Sequence, residues 1–474
     1  MTTLNSIWQQ LTLTYLSPSQ WRNGSLLYRF SGSLQHWRQT SWLMQWGEPL
    51  GAILISLLFG LAPFVGTALI GVLLIACAGF WVLITLCDDP SETAFTPIHL
   101  LVLLYWGIAV AATAFSPVKA AALTGLIKLT LYLMLFFLMA RILRSPRVRS
   151  IFITFYLHIV LIVSIYGLRQ WFFGVEASAT WVDPTSAQAD LIRVFSFLGN
   201  PNLLAGYLLP ACAFSIAAIF VWEGWLPKAL GLTMTVVNCA CLVLTFSRGG
   251  WIGFVALMFT LAVLLLYWLS INFSPFWRQW AVPIGIGSLA ALLVIAVLTV
   301  PSLRLRVASI FVGREDSSNN FRMNVWAAVI EMIQDRPILG IGPGNNAFNK
   351  IYPLYMRPRY SALSAYSVIL EVAVETGIIG LSCFLWLLVV TLQQGWLQLQ
   401  RLRELRNTQG LWLMAAIATI VGMLAHGAVD TVWYRPQVNT LWWLMVALIA
   451  SFYQRSRSLS ADLSSQPAVT PNDI

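Results

Sequence analysis

Apolar residues run along this chain in long, almost unbroken blocks, with polar residues gathered in the gaps between them. The blocks lie at roughly 43–64, 66–87, 97–116, 120–143, 150–172, 200–222, 228–247, 250–270, 280–300, 373–396, 410–429 and 438–453. Each approaches the length of about 20 residues that a helix needs to cross a bilayer. The pattern predicts an all-α, polytopic membrane protein with about twelve transmembrane helices. The first two blocks meet in a very short turn near Pro63–Gly66.

Composition agrees. The 474 residues are 58% hydrophobic and only 10% charged, with 22 Trp, which excludes an ordinary soluble domain. The net charge of +10 would suggest nucleic acid as a partner for a soluble protein. Here Lys and Arg flank apolar blocks, so the partner is the lipid bilayer and the charge reports topology. Arg22, Arg29, Arg38, the run "RILRSPRVR" (141–149), Lys228, Arg278, Arg401, Arg403, Arg406, Arg455 and Arg457 share one side. The opposite gaps carry only Lys119, Arg169, Arg193, Arg248 and Arg435. The positive-inside rule then predicts an inner-membrane protein with both termini in the cytoplasm. The loop 88–96 ("DDPSETAFT") departs from the rule, being acidic where basic residues are expected. Cys77, Cys87, Cys212, Cys239, Cys241 and Cys383 all fall in apolar blocks and read as packing residues. The first forty residues show no cleavable signal peptide.

This divides the chain into a cytoplasmic segment 1–42, nine helices over 43–300, a large structured non-cytoplasmic loop 301–372, three helices over 373–453 and a cytoplasmic tail 454–474. Within the loop, "NNFRMNVWAAVIEMIQDRP" places Met323, Val325, Trp326, Val329, Ile330 and Ile333 at helical spacing, and Asp335–Arg336–Pro337 ends the helix. "ILGIGPGNNAF" then reads as a Gly/Pro turn segment, and it lacks the GK[ST] of a nucleotide loop. A second loop, 173–196, holds Asp183, Asp190 and Arg193. No internal repeat is visible.

Certain charges need a reason. A charge inside a bilayer costs about 2.5 kcal/mol or more at its centre, so an Arg at a helix end either snorkels to the surface or serves a ligand. Lys119, Arg169 and Arg435 fit snorkelling. Arg248, in "LVLTFSRGGWIGFV", stands between two apolar blocks beside Gly249–Gly250, where backbone can approach closely. In "RVFSFLGNPNLLAGYLLP", Asn200 suits an N-cap and Pro201 a first helical turn. Asn202 and Arg193 are left over, beside amides that form a ready anion site. With Arg322 on the loop helix, these residues are expected to converge on the outer face, where guanidinia suit phosphate or carboxylate oxygens. His426 and Asp430 are four apart, as a polar pair on one helix face would be. His99 and His158 read as packing residues and His36 lies in the polar N-terminal segment. No metal-ligand cluster, cofactor motif or catalytic triad can be assembled. Lys128 is the one cation well inside a block.

In order, "FLGNPNLLAGYL", "TFSRGGW", "FRMNVWAAVIEMIQDRPILGIGPGN" and "VETGIIGL" resemble the motifs of the O-antigen ligase/polymerase superfamily over roughly 190–450. "SIFVGREDSSNNFR" and "LSAYSVILEVAVETG" resemble more narrowly the cyanobacterial IctB-type family, associated with bicarbonate accumulation. The broad resemblance implies a glycosyltransferase-C-like fold, a lipid-linked diphosphate glycan as donor and chemistry at the outer face. It matches Arg193, Arg248 and Arg322 to diphosphate-binding arginines. The ligases carry a His-Asn pair eleven and ten residues before the glycine of "ETG"; here those positions are Tyr366 and Ser367. A phenol with a pKa near 10 is a poor base at neutral pH, and Glu371 and Glu375 stand close enough in sequence to substitute. The narrower resemblance implies bicarbonate as the anionic substrate, the broader one a lipid-linked glycan transferase.

Overall fold

Every one of the twelve apolar blocks is helical in the computed structural model, which describes residues 2–14, 41, 45–87, 95–174, 192–299, 304 and 317–453. Arg22, Arg29, His36, Arg38, the acidic residues of loop 88–94, Asp183, Asp190, residues 305–316 and the tail from 454, with Arg455 and Arg457, lie outside the described residues. In chain order the helices are α1 (Thr2–Leu11), α2 (Gly47–Leu61), α3 (Thr67–Leu86), α4 (Pro97–Ala114), α5 (Lys119–Ile142), α6 (Pro146–Phe173), α7 (Pro201–Val221) and α8 (Trp225–Leu244). They continue with α9 (Arg248–Leu269), α10 (Pro275–Thr299), α11 (Ser317–Asp335), α12 (Asn345–Ile351), α13 (Val368–Glu404), α14 (Gln409–Val429) and α15 (Pro436–Ser451). Nine of these are long and apolar enough to span a membrane: α3 to α9, α13 and α14. The three remaining blocks form α2, α10 and α15.

Local chemistry sets the helix starts. Thr96 and Ser145 accept from the amides of His99 and Val148, and each is followed by proline at the first helical position. Asn200 caps α7 in the same way, accepting from the amides of Asn202 (2.8 Å) and Leu203 (3.3 Å). α7 and α14 form the centre of the bundle, with 78% and 72% of their spans buried, whereas α9 packs along α14 with most of its residues only partly buried. α1 was not announced by the apolar pattern; the Trp386 indole of α13 donates to its last carbonyl, Leu11 O, at 2.6 Å.

The loop helix α11 buries Val325, Ala328, Val329 and Met332 in a small core of its own, with Phe348, Tyr352, Ala365 and Val374. This shifts the buried stripe from the expected one, since Ile330 is exposed. Val325 and Val329 pack on the head of α13 and the turns before it.

α13 starts at Val368, five residues before the apolar block expected at 373, because Glu371 and Glu375 interrupt the apolar run of its first two turns. The helix breaks at Gly377, whose φ of 66° and ψ of −170° are not helical. The freed backbone groups are taken up by the Gly/Pro segment: Ile341 N donates to Val374 O (2.9 Å), Gly342 N to Glu375 O (2.9 Å), and Ile378 N to Pro337 O (2.8 Å). A broken helix at membrane depth is tolerated only where neighbouring backbone satisfies it in this manner. A Cβ at Gly377 would sit 2.1 Å from Ile338 O, and one at Gly340 2.3 Å from Val374 O, so both glycines are needed for backbone to meet backbone. Ser116 Oγ donates to Ile341 O at 2.6 Å and ties the segment to the turn between α4 and α5.

Candidate functional site

The turn between α8 and α9 is short. Thr245 Oγ1 donates to Leu242 O, Phe246 has φ 48°, and Ser247 caps α9 by accepting from Gly250 N at 3.1 Å. Arg248 is therefore the first residue of a helix and is buried, 8% exposed. A helix N-terminus carries partial positive charge, so a cation is an unfavourable choice there unless it serves something besides the helix. The glycines after it serve packing. A Cβ at Gly249 would lie 2.8 Å from His426 Cδ2, and one at Gly250 2.5 Å from Ala205 Cβ. They let α9 close on α14 and α7, as small residues do between membrane helices.

That closure brings the starts of α7 and α9 to the end of α14, where the polar side chains meet. Arg193 Nε donates to Thr245 O (3.0 Å) and its Nη2 to Asn202 Oδ1 (2.9 Å). Asn202 Nδ2 in turn donates to Asp430 Oδ2 (2.8 Å). The same carboxylate oxygen pairs with Arg322 Nη2 at 3.4 Å, while Arg322 Nη1 donates to Ser318 Oγ at 2.9 Å. Arg322 Nε is buried with no partner. Arg193, Asn202, Asp430 and Arg322 thus form one continuous network, with Arg248 at the same end of the bundle. Three guanidinia share this end with the Asp430 carboxylate, so the charge is positive but partly offset.

The expected His426–Asp430 face pair does not form. α14 ends at Val429, and Asp430 is its extended C-cap residue with φ −152° and ψ 151°. No hydrogen bond joins the two side chains. Asp430 joins the arginines, and His426 sits in a slot walled by Gly206, Gly249 and Gly253 with both ring nitrogens unpartnered.

Tyr366 stands just before α13 in a left-handed conformation, φ 50°, with its carbonyl accepting from the Trp326 indole at 3.3 Å and its ring edge-on to Phe321. Burial, followed by the charge of nearby Asp430, pushes its phenol up to about 12. Glu371 and Glu375 do not join the arginine network. They line an adjoining cavity of about 320 Å³, together with Lys128, Thr431, Trp433, Asn439 and Trp442. The main-chain N–H of Gly344 donates to Glu375 Oε1 at 2.8 Å, so the Gly/Pro segment also orients a carboxylate. Thr431, Trp433, Asn439 and Trp442 were not singled out from the sequence. The available signal was polar and aromatic density in "DTVWYRPQVN" between two apolar blocks.

A charged cluster and an adjoining cavity with two carboxyl side chains in its wall, at one end of an all-α, multi-pass bundle, define a membrane protein with a site built at its surface. Residues 233–385, about a third of the chain, match the family model described as O-antigen ligase. The match supports an O-antigen-ligase-like membrane protein, and hence the O-antigen ligase/polymerase superfamily. It takes in Arg248, Arg322, Tyr366, Glu371 and Glu375, and leaves Arg193, Asn202, His426 and Asp430 outside. No curated protein matches the chain significantly.

Proposed function

We propose that this protein binds a lipid-linked glycan diphosphate at the outer face of the inner membrane and transfers the glycan to a hydroxyl. The observation that carries this reading is the convergence of Arg193, Arg248 and Arg322 on one end of the bundle, within or beside the ligase-matched region. Guanidinia hold diphosphate oxygens in bidentate fashion, and they stabilise the charge that gathers on a departing diphosphate. In the transfer, the acceptor oxygen bonds to the anomeric carbon as the bond from that carbon to the diphosphate oxygen breaks. The hydroxyl proton passes to a base. Glu375, whose carboxylate accepts from the Gly344 amide, is the candidate for that base, because the Tyr366 phenol, held neutral to about pH 12, accepts no proton at neutral pH.

Both termini lie in the cytoplasm in this reading, with residues 301–372 outside. Cysteine introduced at Ser317 then reacts with an impermeant thiol reagent added from outside, and cysteine at Ser145 does not. Reversed labelling would place the arginines on the wrong face.

A second reading, bicarbonate movement, draws support from the break in α13 at Gly377, since discontinuous helices flank the sites of many transporters. Proteoliposomes loaded with a polyprenyl-diphosphate-linked oligosaccharide and an acceptor glycan, run beside bicarbonate-uptake vesicles, separate the two. Glycan transfer abolished by Arg322→Ala supports the transferase. Uptake without transfer overturns it.

A further inference from the structure

We propose that Gly125 of α5 is a positioning residue for Glu375, acting through the Pro343–Gly344 peptide that lies between them. One unit of main chain touches both. On one side, a Cβ built on Gly125 would stand 1.8 Å from Pro343 O, 2.5 Å from Pro343 C and 2.9 Å from Gly344 Cα. On the other, Gly344 N donates to Glu375 Oε1 at 2.8 Å. The peptide is trans and planar, so its C=O and N–H point in opposite directions. The carbonyl meets α5 and the amide meets the carboxylate. A shift imposed at one end reaches the other, because the unit does not bend.

Glu375 is gripped twice by this segment. Gly342 N donates to its main-chain carbonyl at 2.9 Å, and two residues later Gly344 N reaches its side chain. The segment is itself tied to the turn before α5: Ser116 Oγ donates to Ile341 O at 2.6 Å and accepts from Val118 N at 3.0 Å. A Glu side chain turns about several bonds, and Glu375 lines the cavity only partly buried. Packing alone therefore does not fix its carboxylate, and the Gly344 N–H does.

Alanine at position 125 finds no room. The atoms in its way are main chain, and a Cβ essentially never comes within 3.0 Å of another atom. The peptide must withdraw by roughly 1 Å or more. Glu375 Oε1 is already in hydrogen-bond contact, so that shift either turns the N–H off the carboxylate or drives the carboxylate from its place. Gly125 has no side chain with which to touch a substrate, and its effect is on position alone. That Glu375 is the base rests on the transferase reading; the seating of the peptide by Gly125 does not.

The chain contains one Pro–Gly pair, Pro343–Gly344. The full-length protein in lipid nanodiscs, labelled with carbon-13 at proline carbonyls and nitrogen-15 at glycine, therefore gives a single HNCO signal from this peptide alone. Glu375→Gln should shift that signal by removing the charge that the amide faces. Gly125→Ala should shift it too, whereas Gly107→Ala, at a helical position with nothing within 4 Å, should not. In proteoliposome transfer, Gly125→Ala should lower kcat by about tenfold to a hundredfold, the scale of a reacting group displaced by about 1 Å, with KM for the lipid-linked donor within about twofold of wild type. A stationary signal in Gly125→Ala overturns the proposal. So does a shifted signal with kcat unchanged, or a loss confined to KM. If Gly125→Ala does not fold, Ser116→Ala, which removes the tie to Ile341 without crowding, tests the same seat; a stationary signal with unchanged kcat there overturns the proposal as well. Absence of transfer by the wild type defeats the transferase reading instead, and the signal in Gly125→Ala, set beside that of Glu375→Gln, then supports or overturns the seating of Glu375 by itself.

Discussion

Two polar clusters flank the peptide between Asp430 and Thr431, and they are wired in opposite ways. The arginine network is linked side chain to side chain: Arg193 holds Asn202, Asn202 holds Asp430, and Asp430 holds Arg322, with Arg322 Nε alone left over. Across that peptide, residues that line a cavity carry buried donors and acceptors without hydrogen-bond partners. The first is a pre-organised charged surface, rigid because its members constrain one another. The second is polar but incomplete. A ligand of the first must displace or share bonds already made, so the two should answer differently to the same kind of substitution.

The strongest way to break the comparison is at the joint that holds the cavity. Gly377→Ala places a Cβ 2.1 Å from Ile338 O and keeps alanine at φ 66°. Backbone in this glycine-only region costs about 1–3 kcal/mol and overpacking about 1–3 kcal/mol, so a loss of roughly 2–6 kcal/mol is expected. Thermal unfolding in detergent measures it, with Gly79→Ala as control because nothing lies within 4 Å of that position. Equal melting temperatures would mean that the break in α13 is not held as described.

Next come the arginines. Arg322→Ala and Arg248→Ala should each weaken pyrophosphate binding by about 1.5–3 kcal/mol, on the order of ten- to a hundredfold, with the proteins still folded and inserted. Lysine should rescue either position only in part, since an ammonium lacks the planar fork. Full binding by the alanine variants would reduce these residues to snorkelling charges.

Asp430→Asn sharpens the contrast because the expected sign is reversed. Asparagine keeps an oxygen for Asn202 and Arg322 but removes the charge that competes with an incoming anion. Pyrophosphate should bind tighter, by about twofold to fivefold, the range of one modest charge interaction. Weaker binding would mean that Asp430 is needed chiefly to position the guanidinia.

Smaller effects are expected at Tyr366. Trp326→Phe removes the hydrogen bond to its carbonyl and should cost about 1 kcal/mol in unfolding measurements. The phenol itself titrates higher in the folded protein than in the unfolded chain. Its contribution to stability is therefore complete below about pH 10 and is lost as pH rises toward about 12. Tyr366→Phe should leave the pH dependence of transfer unchanged between about pH 6 and 9, where the phenol stays protonated. An alkaline limb in wild type that vanishes in the Phe variant would restore tyrosine as the base.

The helices were legible because the bilayer demands them: long apolar blocks could be nothing else, and Asn200 announces the cap of α7 within three residues of chain. The start of α13 was not, because Glu371 and Glu375 make its first turns look like loop. Their role becomes visible only when the Gly/Pro segment, more than thirty residues earlier, folds back on Gly377 and binds Glu375 through Gly344. The site divides in the same manner. Arg193, Asn202, Arg248 and Arg322 stand out singly, since a charge beside an apolar block is costly wherever it lies. The partnership of Asp430 with them does not, because spacing alone assigned it to His426 on a helix that in fact ends one residue sooner.

What the sequence by itself determined is the class of protein, the positions of its apolar helices, and the charged residues that need a reason. These depend on hydrophobicity and on neighbours a few positions away, and both can be read along the chain. Only the tertiary structure decided which carboxylate meets the arginines, where α13 breaks, and that Trp433, Trp442, Thr431, Asn439 and Glu371 enclose one space. Those outcomes depend on contacts between segments up to 228 positions apart, such as Asn202 with Asp430, and no local pattern encodes a partner at that distance.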